Sequence, residues 1–121
     1  MLFDIDGTIL LTAGAGMRCM ERTGKALFGD AFTFSHIVTA GGLDPVLFAE
    51  AMRDSGMTVG DGDHERFHDA YVADLERELA ARAGDVSVMP GIGELLPALR
   101  DDPRVTLGLL SGNYVTAAGV K

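Results

Sequence analysis

The chain has 121 residues, 47% apolar and 23% charged, and its 18 acidic and 10 basic side chains leave a net charge of −8. That length and composition fit one domain with enough apolar content for a core, and exclude an intrinsically disordered chain. The negative balance argues against nucleic-acid and anionic-membrane partners, the single cysteine, Cys19, excludes a disulfide framework, and no apolar run approaches the ~20 residues that cross a bilayer.

No basic segment followed by an apolar one opens the chain, so a cytoplasmic protein is expected. Residues 1–6 read as a short apolar strand running into two acidic residues, broken by Gly7-Thr8. A flexible junction follows at 12–16. A helix is then expected over 16–28, with Met17, Met20 and Leu27 on its apolar side and Arg18, Arg22 and Lys25 on other faces. A second helix is expected over 44–54, with Asp44 as N-cap and Pro45 in the first turn. The clearest helix spans 64–82: Phe67, Tyr71, Leu75 and Leu79 form one stripe at four-residue spacing, with Asp63 as cap. A second flexible junction, 89–93, leads to a helix starting near Glu94, where Gly93 as N-cap would leave Pro97 at the end of the first turn. Residues 105–110 form another apolar run, ended by Ser111-Gly112-Asn113. Neither apolar run alternates with polar residues, which suits strands buried on both faces of a parallel sheet.

Asp4-Ile5-Asp6-Gly7-Thr8 carries the chemistry. Residues i and i+2 of a strand point the same way, so Asp4 and Asp6 should project together. In open parallel sheets ligands bind at the carboxyl ends of the strands, which is where this pair stands. Two close carboxylates can divide labour between an ionised nucleophile or metal ligand and a proton carrier.

This segment, together with the strand that ends at Ser111, resembles the first two motifs of the haloacid dehalogenase superfamily of hydrolases. Gly41-Gly42-Leu43-Asp44 and Met89-Pro90-Gly91 resemble the cap loop and the return to the core in its phosphoglycolate-phosphatase-like branch. The resemblance implies an α/β fold, a partial Rossmann-like parallel-sheet core with an inserted α-helical cap. Residues 1–11 and 90–121 would form the core and 12–89 the cap, with strands 1–6 and 105–111 as parallel neighbours. It further implies a Mg²⁺-dependent phosphatase acting on a small phosphorylated metabolite. Asp4 would be the nucleophile and Asp6 the proton carrier. Both would hold the metal, and Ser111, Gly112 and Asn113 would hold the phosphate. A sugar phosphomutase and a truncated, non-catalytic homologue that binds a partner or phosphate are the alternatives. The family's lysine and second acidic pair are expected beyond residue 121, with Lys121 itself solvated, so the chain reads as the N-terminal part of an enzyme. Its strand edges, with Leu2, Phe3, Ile5, Leu107, Leu109 and Leu110 uncovered, would favour self-association.

Weaker candidates remain. Gly42, Asp44, Arg18 and Arg22 could meet the substrate; the competing readings are a tight turn with a helix cap and a solvent-facing basic stripe. His64 and His68 stand at the i, i+4 spacing of a metal pair, but no third ligand accompanies them and a solvated polar face is expected. Cys19 is expected to be a small buried side chain.

Overall fold

The computed structural model describes all 121 residues. Strand β1 (Leu2–Phe3) runs parallel to β4 (Gly108–Leu109), with Leu2 opposite Gly108 and Phe3 opposite Leu109. The expected neighbours are therefore paired, over fewer residues than 1–6 and 105–111. The first strand stops early because the chain turns sharply. The Ile5 carbonyl accepts the N–H groups of Thr8, Ile9 and Leu10. Gly7 sits at φ 76°, a left-handed conformation that glycine adopts without steric penalty.

A second ladder was not expected. Strand β2 (Leu10–Leu11) pairs antiparallel with β3 (Ser87–Val88), and Met89 N–H donates to the Ile9 carbonyl at 2.8 Å. The segment leaving for the helices is thus bonded to the segment returning from them. Flexible linkers were expected next to this point.

The helices are α1 (Ala15–Phe28), α2 (Asp44–Asp54), α3 (Asp63–Ala81), α4 (Ile92–Arg100) and α5 (Val115–Val120). Three expected caps are corrected. Leu43, Gly62 and Gly91 occupy the N-cap positions, and Asp44 and Asp63 are the first helical residues. Their carboxylates are engaged elsewhere, Asp44 with the Tyr114 N–H and Asp63 with the Gly60 N–H. With Gly91 as cap, Pro97 lies deeper in α4 than expected.

The core belongs to the helical lobe. Fourteen buried residues form one cluster, including Met20, Phe32, Phe48, Phe67, Tyr71 and Leu75. Each large side chain buried there contributes about 1.5–3 kcal/mol relative to exposure. Tyr114 and Ala117, from the start and middle of α5, join the same cluster. Strand β4 is therefore followed by an anchor in the helical lobe. On the sheet side, Leu2, Leu109 and Leu110 are exposed as expected. Ile5 is not: it is 3% exposed, because the turn after it folds its side chain inward.

Gly24 lies where α1 meets Phe32. A Cβ there would stand 2.0 Å from the buried Phe32 ring. Gly24→Ala gains about 1 kcal/mol of helix propensity. Overpacking a core costs about 1–3 kcal/mol, and so close an approach to a ring lies at the high end. The expected outcome is a net loss of stability, read as a lower midpoint in urea. An unchanged or raised midpoint would contradict the packing described.

Candidate functional site

A cleft of about 800 Å³ opens between the carboxyl ends of β1 and β4 and the helical lobe. Asp4, Asp6, Gly42, Asp44, Ser111, Gly112, Asn113 and Lys121 all line it. Asp4 and Asp6 flank buried Ile5, so the alternation expected of the pair is realised even though the strand ends at Phe3.

The two carboxylates have different partners. Asp4 Oδ1 accepts the Ile5 N–H at 2.8 Å, and its other oxygen has no partner in the chain. Asp6 Oδ2 accepts from Asn113 Nδ2 at 2.8 Å and from Lys121 Nζ at 2.5 Å. Asn113 is the hub of the cluster. Its Nδ2 also donates to Ser111 Oγ at 2.6 Å, and its Oδ1 accepts from Lys121 Nζ at 2.7 Å. One side-chain amide thus joins the serine, the second aspartate and the lysine.

Lys121 corrects an expectation. It was read as solvated, yet its side chain is 3% exposed and its ammonium sits in the cleft. Residue 121 follows α5, and α5 is turned toward the cleft because Ala117 and Tyr114 are drawn into the helical core. The sequence signal was the small-residue face of 115–120, too short to orient by periodicity.

The turn 111–114 is seated on the loop before α2. Gly112 accepts the Asp44 N–H at 2.8 Å, and Asp44 Oδ2 accepts the Tyr114 N–H at 2.9 Å. A Cβ on Gly112 would lie 2.2 Å from the Gly42 carbonyl oxygen, which is backbone and cannot rotate away. Gly112→Ala is therefore expected to destabilise by about 1–3 kcal/mol.

Asp44 serves this seam. Burial raises its carboxyl above the ordinary range and the Asp6 charge adds to the rise, while the Tyr114 N–H and the Lys121 charge act against it. For a raised carboxyl, stability falls as pH rises from the unfolded to the folded pKa, so ionised Asp44 carries a cost at neutral pH that lifts on acidification. Asp44→Asn keeps an acceptor without the charge and is expected to match or exceed the wild type at pH 7, with the gap closing in acid. Asp44→Ala leaves a buried N–H unpaired, which costs about 1–3 kcal/mol. Denaturant midpoints against pH measure both; equal losses for the two variants would contradict the assignment.

Arg18 and Arg22 were candidates for contact with an anionic substrate. From α1 they turn toward α3 instead. Arg18 is bonded to Glu78 and the Ala13 carbonyl, and Arg22 to Asp74 and Glu78. Neither lines the cleft. The two arginines hold the Glu78 carboxyl below the usual carboxylate range. His64 is exposed, as expected of a polar face, and His68 is half-buried, but both also have partners at the start of α5. His64 Nε2 meets Tyr114 Oη at 2.7 Å, and His68 Nε2 meets Thr116 Oγ1 at 2.6 Å, so both fasten α3 to α5. Cys19 is buried, and burial, followed by the Asp74 charge, pushes its thiol up to about 11. It is a packing residue at neutral pH.

Two hard oxygen donors of the cleft suit a magnesium ion: Asp4 Oδ1, which keeps a second lone pair beside the Ile5 N–H, and the Asp6 carbonyl, to which no backbone N–H donates. No group of three or more histidine, cysteine or acidic side chains is gathered for a metal. Magnesium commonly uses one or two carboxylates together with water and substrate phosphate, and the set fits that pattern.

No family model and no curated protein matches the chain. Among solved structures, the crystal structure of a hydrolase from Pseudomonas syringae superposes with a TM-score of 0.72 at 21% sequence identity. The superposition covers 98% of this chain and 52% of that one, so the chain spans about half the length of that protein. The likeness establishes the fold: α/β, with a partial Rossmann-like core and an inserted helical lobe.

Proposed function

We propose that the cleft performs phosphomonoester hydrolysis through an aspartyl-phosphate. The observation that carries this reading is the convergence of Asp4, Asp6, Ser111, Asn113 and Lys121 on one cleft at the carboxyl ends of two parallel strands. The Asp-x-Asp-Gly-Thr likeness to haloacid dehalogenase-like hydrolases and the superposition on the Pseudomonas syringae hydrolase agree with it.

The free Asp4 oxygen attacks phosphorus, and the bond to the leaving alcohol oxygen breaks. Asp6 protonates that oxygen as it leaves. Its Oδ1 is the available atom, because Oδ2 is held by Asn113 and Lys121. Asp6 then takes a proton from water, which attacks phosphorus and breaks the bond to Asp4, releasing phosphate. The Ser111 hydroxyl and the remaining N–H of the Lys121 ammonium are the donors for the phosphoryl oxygens, while Asn113, whose two amide hydrogens are taken by Asp6 and Ser111, holds the serine and the lysine in place. The Asp4 carboxylate and the Asp6 carbonyl would hold Mg²⁺, which when bound neutralises phosphate charge.

Leaving-group dependence tests the role of Asp6. Asp6→Asn is expected to slow alkyl phosphate hydrolysis by about 10²–10⁴, the range for a lost general acid, and p-nitrophenyl phosphate far less. Equal slowing of both would remove the proton-carrier role. Magnesium is expected to bind weakly, with a dissociation constant on the order of millimolar for so few protein ligands. Micromolar affinity by calorimetry would contradict the ligand set.

A further inference from the structure

We propose that the cleft selects phosphomonoesters whose organic half is uncharged and apolar, and disfavours those carrying a second anionic group. This inference rests on the phosphoryl-transfer reading and goes on to the substrate class. Its basis is the distribution of charge and carbon around the cleft. Lys121 is the one cationic side chain among the lining residues, and it already bonds Asp6 and Asn113. Three carboxylates, Asp4, Asp6 and Asp44, face the same space. The arginines nearest in sequence, Arg18 and Arg22, are paired with Glu78 and Asp74 outside it. With Lys121 at the phosphoryl end, a carboxylate or second phosphate on the substrate meets like charge and finds no counter-ion among these lining residues.

The walls beyond the aspartates are apolar. Leu10, Leu11, Met17 and Leu43 line the cleft with accessible side chains, over buried Met20 and Leu47. An alkyl group laid against them leaves water for carbon. Each buried methylene is worth about 0.8 kcal/mol, or roughly fourfold in affinity. Met17 is unbranched and fills irregular gaps, so the wall tolerates variation in the shape of that group. Leu43 stands at the edge with 55% of its surface exposed, where a longer charged side chain fits without disturbing the core.

The test compares non-hydrolysable ligands. Calorimetry in magnesium buffer measures hexylphosphonate, ethylphosphonate and phosphonoacetate. Hexylphosphonate is expected to bind at least about tenfold more tightly than ethylphosphonate, from its four added methylenes. Phosphonoacetate is expected to bind at least about tenfold more weakly than ethylphosphonate. Leu43→Arg supplies the missing counter-ion and is expected to raise phosphonoacetate affinity while lowering that of hexylphosphonate. Equal or tighter wild-type binding of phosphonoacetate overturns the inference, as does failure of hexylphosphonate to bind. Hexyl phosphate turnover is followed in parallel. Selective hexylphosphonate binding without any turnover would overturn the hydrolysis reading and leave the ligand class standing.

Discussion

Asp4→Asn is expected to lower phosphomonoester turnover by on the order of 10⁴-fold or more, the scale of loss when a covalent nucleophile is removed. The fold should be unaffected. Asp4 is exposed, and the asparagine side-chain oxygen can still accept the Ile5 N–H that Asp4 Oδ1 accepts now. A thermal transition within about 2 °C of the wild type is the control, since one exposed isosteric change lies within about 0.5 kcal/mol. Steady-state kinetics with p-nitrophenyl phosphate and Mg²⁺ reads the effect. Activity within tenfold of wild type would remove Asp4 from the nucleophile position.

Phe67→Ala is expected to give the largest loss of stability, about 3–5 kcal/mol. Phe67 is fully buried and stacks on Phe48 at 4.4 Å between ring centroids, with Phe32 and Tyr71 each 6.1 Å away. A domain of this size has roughly 5–15 kcal/mol in total, so the melting temperature should fall by roughly 10–20 °C. The effect reaches the cleft through Tyr114 and Ala117, which share that core and set the path from Ser111 to Lys121. Activity should therefore decline below the wild-type melting range. Phe67→Leu keeps most of the volume and should recover much of the loss. A drop below 1 kcal/mol for Phe67→Ala, by urea denaturation, would contradict the core described.

Much of this architecture was legible because it follows from periodicity. The Phe67–Leu79 stripe marks α3, and the i, i+4 spacing over 44–54 marks α2, although its cap is Leu43 and not Asp44. The Asp4/Asp6 pair was legible from strand alternation combined with the turn residues after it. Other features depend on which faces meet. Arg18 and Arg22 lie at i, i+4 on α1, and Asp74 and Glu78 lie at i, i+4 on α3. That matching pattern was a signal for an interhelical network, whereas each helix alone left its charges free. The β2–β3 ladder involves two residues on each strand, too few for a period. Lys121 lies ten residues after Ser111, and only the burial of Tyr114 and Ala117 brings its ammonium back to Asp6. The small-residue face of 115–120 is too short to orient that return by periodicity.

The central claim is that Asp4 becomes covalently phosphorylated. The direct measurement is to quench the protein during turnover of p-nitrophenyl phosphate with Mg²⁺, reduce any acyl phosphate with borohydride, and locate the altered residue by peptide mass spectrometry. The account predicts a reduced side chain at Asp4, absent when substrate is omitted and absent in Asp4→Asn. Modification at any other residue, or sustained turnover with an unmodified Asp4, would contradict it.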